Sequence, residues 1–117
     1  MDFRIIRNTQ VITDSDLALY LGLMPKSLIS FFKRNIQVFP QDTFFQLNEE
    51  EKKDLVKNYC LTHAERLRYA KRLPYVFTPS GAVLAVFLLK RCKKAAVIRQ
   101  KMLALITKKH LQDILSE

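Results

Sequence analysis

SDLALYLGLMPKSLISFFKRNIQVFP, residues 15–40, is the stretch on which the fold turns. Leu17, Ala18 and Leu21 recur at the spacing of one helical face. Gly22 follows, a residue that accepts the positive φ needed to end a helix and bend the chain. Pro25 has its φ preset for the first position of a second helix. Leu28, Phe31 and Phe32 then give that helix an inner stripe. A small residue, a glycine four positions on and apolar residues around both form the pattern of a helix-turn-helix. The outward positions of the second helix are Lys26, Ser27, Ser30, Lys33 and Arg34, short hydroxyls and long cations of the kinds that meet base edges and phosphates. Any helical hairpin needs a turn glycine and two apolar stripes, so the pattern alone leaves DNA binding and plain packing both open.

Charge separates them. The chain has 117 residues, 20 Lys and Arg against 11 Asp and Glu, and a net charge of +9. A basic surface replaces the counterions around a phosphate backbone, which favours nucleic acid. Solubility and attraction to an anionic membrane are the blander sources of such charge. Membrane binding calls for one basic amphipathic helix, whereas these cations are spread over several elements. Hydrophobic residues make up 49% of the chain, enough for one packed core. Cys60 and Cys92 stand apart and share no short ligand spacing with His63 or His110, so the expectation is two buried thiols, no metal and no cofactor. MDFRIIRNTQ has no apolar signal core, and GAVLAVFLL at 81–89 is too short to cross a bilayer. The expected location is a cytoplasm, on the nucleoid when DNA is bound.

Outside the opening stretch the elements follow from local signals. Residues 3–7 and Val11-Ile12 read as a small strand pair turned at Asn8. Thr13 caps the next helix, with Asp16 reaching back as in a capping box. Pro40 disfavours helix at Phe39 and ends the two-helix unit. Residues 43–47, TFFQL, are strand formers. Asn48 caps a helix whose first turn holds Glu49, Glu50 and Glu51, where the macrodipole favours acids, a simpler account than a metal site. Residues 62–73, THAERLRYAKRL, are either a short helix or an irregular loop. Arg66, Arg68, Lys71 and Arg72 make them a candidate arm on the phosphate backbone, or a solvated connection with incidental charge. Residues 74–78, PYVFT, read as a strand able to pair with 43–47. Thr78 and Pro79 then open an apolar helix to about Leu89, expected in the centre of the core. A break falls at 90–94. The last helix, from about Ala95, carries Ile98, Met102, Leu105 and Ile106, with Leu111, Ile114 and Leu115 beyond. Its apolar stripe packs on its own domain or pairs with a second copy.

These residues resemble a known family. SDLA at 15–18, Gly22, KSL at 26–28, KRNI at 33–36, FP at 39–40 and FFQLNEEE at 44–51 are similar to the ORF6N domain of phage and bacterial genomes. LPYVFTPSGAVL at 73–84 matches that family's second signature, and the run Ile98–Met102 is compatible with its closing helix. The resemblance covers about Val11 to Lys108. It implies a DNA-binding module of the kind found in phage regulators and antirepressor-like proteins. Ile29 and Val38 depart from the family pattern, where an Asn and a basic residue are common.

The expected protein is therefore α+β: one mainly helical domain over 1–117, with a helix-turn-helix core at about 14–40, a two- to four-stranded antiparallel sheet in a winged-helix-like arrangement, and a C-terminal helix at about 93–116. Its expected partner is double-stranded DNA, bound by Lys26, Ser27, Ser30, Lys33 and Arg34 with backbone contacts from Arg66, Arg68, Lys71 and Arg72. A regulator protein, bound in an antirepressor-like role, is the alternative partner. The acids sit at caps, turns and termini rather than converging, so no enzyme is expected.

Overall fold

The structure, a computed structural model, describes residues 3–59 and 61–115, with side chains described as far as Lys109. Expectations for Cys60 and His110 and for the tail stripe of Leu111, Ile114 and Leu115 lie outside the residues or side chains described.

Strands β1 (Arg4–Ile6) and β2 (Thr9–Thr13) form the N-terminal hairpin. Its turn holds Arg7 and Asn8 at φ 54° and 58°, the paired left-handed conformation of a two-residue hairpin. Helix α1 (Asp14–Leu21) starts directly after β2. Thr13 caps it, accepting from the Asp16 amide at 3.2 Å. The return half of the expected capping box is replaced: the Asp16 carboxylate faces Arg4 Nη2 at 3.4 Å. Gly22, at φ 69°, closes α1, and the Leu23 amide donates back to the Ala18 carbonyl at 2.8 Å. Helix α2 (Pro25–Arg34) follows with Pro25 in its first turn.

A short 3-10 turn at Ile36–Val38 and another at Gln41–Thr43 bracket Pro40. Strand β3 (Phe44–Gln46) leads to helix α3 (Glu49–Asn58). Asn48 and Glu51 form a complete capping box there, so Glu51 does more than favour the helix dipole. The open choice at 62–73 resolves to helix α4 (His63–Tyr69), capped by a second reciprocal pair, Thr62 and Glu65. Strand β4 (Tyr75–Phe77) then pairs antiparallel with β3 on one side and with β2 on the other. Among the described residues the sheet has the order β1-β2-β4-β3, and the protein is α+β.

Strand alternation divides the interior in two. Ile12, Phe77 and Phe44 face one side, with Leu17, Ala18, Leu21, Leu28 and Phe32 of the two-helix corner. Val11, Val76 and Phe45 face the other, with Leu47, Leu55, Leu61 and Tyr69. The sheet thus lies between the α1–α2 corner and the α3–α4 pair. Phe32 is the hub of the larger core: Phe39, Phe44, Tyr75 and Phe77 all meet its ring edge-on or face-on, with centroids 4.9–5.1 Å away.

Helix α5 (Pro79–Leu88) opens at the Thr78 cap and packs on the same core. It buries Gly81, Ala82, Ala85 and Val86 and leaves Val83 exposed, so it lies on the core by a small-residue face rather than running through its centre. The closeness is set by Gly81, where a Cβ would collide with the Thr43 carbonyl oxygen. Helix α6 (Lys93–Leu115) begins two residues earlier than its hydrophobic pattern indicates. Cys92 explains the early start. Its buried sulfur accepts from the Ala95 amide at 3.4 Å and lies 3.3 Å from the Leu21 carbonyl, acting as a cap fixed to the end of α1.

Candidate nucleic-acid interface

Helix α2 buries Leu28 and Phe32 and leaves Lys26, Ser27, Ser30, Lys33 and Arg34 exposed. Its first turn holds no acid, and Met24 provides no side-chain cap, so its N-terminal end is unneutralised. Such an end favours an anion.

The outward residues do not form one surface. Lys26, Ser30 and Lys33 line a groove of about 410 Å³ together with Met24, Pro25 and Ile29. Its far wall is Arg68 from α4 and Arg72 from the turn after it. Residues 35 or more positions apart in sequence thus meet in one basic cleft. Ser27 and Arg34 line a neighbouring groove with Phe31, Lys90 and Arg91, at the corner between α5 and α6. Arg66 lies elsewhere, in a groove between α3 and α4 with Lys52, Lys53 and Lys57. Lys71 is exposed on the turn after α4. The basic arm expected at 66–72 is therefore a helix that distributes its cations to two faces. Lys90 and Arg91, read from sequence only as a helix break, join the α2 surface. Nothing local in the sequence marks that meeting.

One predicted cation is already engaged. Arg72 Nη1 donates to Asp14 Oδ2 at 2.7 Å. Asp14 also accepts from the Tyr75 amide at 3.0 Å, and the Ser15 hydroxyl is 3.4 Å from its other oxygen. The Arg72 guanidinium also lies over the Tyr69 ring, 5.7 Å from its centroid. Burial, reinforced by the Asp14 charge, pushes the Tyr69 phenol above its ordinary value, while the Ser15 and Thr13 hydroxyls act against that shift. Tyr69 is accordingly a neutral hydroxyl at neutral pH. Arg72 thus holds the groove wall in place, leaving Arg68, Lys26 and Lys33 as cations of this groove with no ion-pair partner among the described residues.

Among the described residues, no group of three or more His, Cys, Asp or Glu side chains gathers as metal ligands, and no helix is long and apolar enough to cross a membrane.

The ORF6N domain model matches residues 3–87, and the chain belongs to that family. The match takes in the N-terminal hairpin, which the sequence resemblance omitted, and ends within α5, short of the closing helix. Comparison with curated proteins and with solved structures returns no match.

Proposed function

We propose that this ORF6N-domain chain binds duplex DNA as a phage- or prophage-type regulator, with α1 and α2 acting as a helix-turn-helix. The basic groove supports this reading: Lys26 and Lys33 of α2 face Arg68 of α4 across a cleft, with Ser30 between them. In this mode α2 enters the major groove. Ser27 and Ser30 approach base edges while Lys26, Lys33, Arg34 and Arg68 engage phosphates. Arg66 and Lys71 reach backbone phosphates only where the duplex extends over α4. Titration with random-sequence duplex at two salt concentrations tests the proposal. Binding that weakens as salt rises supports it, and absence of binding at low salt overturns it.

A second reading rests on a different observation. Met24 is 71% exposed at the mouth of the α2 groove, with Ile36 and Val38 exposed nearby in sequence. Apolar side chains of this size suit an antirepressor-like contact with another regulator. Capture of a regulator that survives nuclease and high salt favours it.

A further inference from the structure

Helix α6 is firmly held at its base. Ala95 is buried, and Arg99 Nη1 donates to the Val86 and Leu89 carbonyls at 2.8 Å, satisfying the end of α5. The apolar strip continues past this anchor. Ile98 packs on the core and Met102 is half-buried. Leu105 and Ile106 follow on the same side of the helix, at 69% and 61% exposure. At the foot of the strip, Tyr20 of α1 and Val97 of α6 wall a cleft of about 390 Å³ rimmed by Lys93 and Lys94.

Charge identifies what fits there. From Lys90 to Lys109 the sequence has eight Lys or Arg and no Asp or Glu, and the next acid is Asp113. Lys101, Lys108 and Lys109 are exposed alongside the strip. A second copy would bring the same cations against themselves, and like charges on packed helices repel. Duplex DNA would satisfy the lysines but leaves Leu105 and Ile106 without an apolar partner. A helix with an apolar face and acidic flanks satisfies both. We propose that the α6 strip is a docking surface for an acidic amphipathic helix of a partner protein, independent of the α2 face.

The test uses the full chain and a synthetic amphipathic peptide with Leu on one face and Glu on the others, alongside the same peptide with Lys for every Glu. The expected result is binding of the Glu peptide only, weakening with salt and lowered at least about tenfold by Leu105→Ser with Ile106→Ser. Both positions are exposed, and circular dichroism checks that the double variant keeps its helices. Failure of the Glu peptide to bind overturns the proposal, as does equal binding by the double variant. A chain that sediments as a dimer, and is split by the same two substitutions, overturns it in favour of a second copy.

Discussion

Arg72 and Asp14, 58 positions apart in sequence, are joined at 2.7 Å, and the Asp14 side chain is wholly buried beneath the guanidinium. The pair fastens the turn after α4 to the first turn of α1. It thereby fixes the distance between the two walls of the basic groove. Asp14 is also well placed at a helix N-terminus, and its second partner, the Tyr75 amide, draws β4 into the same junction.

Removing the cation leaves a buried charge with weaker partners. Arg72→Ala is expected to cost about 3 kcal/mol of folding stability, at the low end for breaking a buried pair because Arg72 is partly solvated. Urea unfolding measures it. Arg72→Lys should recover only part of the loss, since an ammonium cannot reproduce the planar contact with both Asp14 and the Tyr69 ring. A midpoint unchanged by Arg72→Ala would mean that water satisfies Asp14 equally well.

Groove cations and groove hydroxyls should separate in binding experiments. Lys26→Ala with Lys33→Ala is expected to weaken binding to every duplex and reduce the salt slope by about two units. Ser30→Ala should leave that slope intact and alter the ranking of sequences. Fluorescence anisotropy across a salt series distinguishes the two, and an unaltered slope in the lysine variant would remove α2 from the interface.

The two glycines of the chain should differ sharply on substitution. Gly22→Ala places a side chain at φ 69°, a cost of about 1–2 kcal/mol, and its Cβ meets only the flexible Lys94 side chain at 3.4 Å. Gly81→Ala drives a Cβ into the Thr43 backbone, which cannot yield without separating α5 from the 3-10 turn ahead of β3. The Gly81 variant is expected to unfold at the lower temperature. The reverse order would show that α5 shifts freely.

Acid should loosen the hairpin first. The Glu51 carboxylate accepts both Arg7 Nε and Arg7 Nη2 at 2.7 Å. Those bonds hold its pKa below the ordinary carboxylate value, with the Asn48 amide adding to the effect and burial opposing it. A carboxylate with a depressed folded-state pKa stabilises fully above its unfolded value, about 4.3, and loses that contribution as pH falls through the lower folded value. Glu51→Gln should therefore flatten the stability profile below about pH 4.3. Parallel acid titrations followed by circular dichroism would reveal no difference if the link carries nothing.

Local chemistry made much of the fold legible in the sequence. Asn8, Thr13, Gly22, Pro25, Asn48 and Thr78-Pro79 each mark a boundary through their own backbone preferences, and the structure places boundaries at those points. The helix α4 carried a signal of the same type, Thr62 followed three residues on by Glu65, which the density of cations around it obscured. Other features have no local signature. The pairing of Ile12 with Phe77 depends on two segments that are each too short to specify a partner. The division of the cations among three grooves depends on where α4 and the α5–α6 corner pack, so Arg66 and Arg68 part company although they are two residues apart.

Strand β4 has only three residues, yet β2 and β3 both lean on it. A chain emerging from the ribosome therefore carries the whole α1–α2 corner long before the strip of backbone that braces it. Until Phe77 is delivered, Phe32 lacks two of its four aromatic neighbours, Tyr75 and Phe77. The brace of the two-helix corner is thus completed late in synthesis, and truncated products ending before β4 would carry Phe32 without half of its aromatic ring of neighbours.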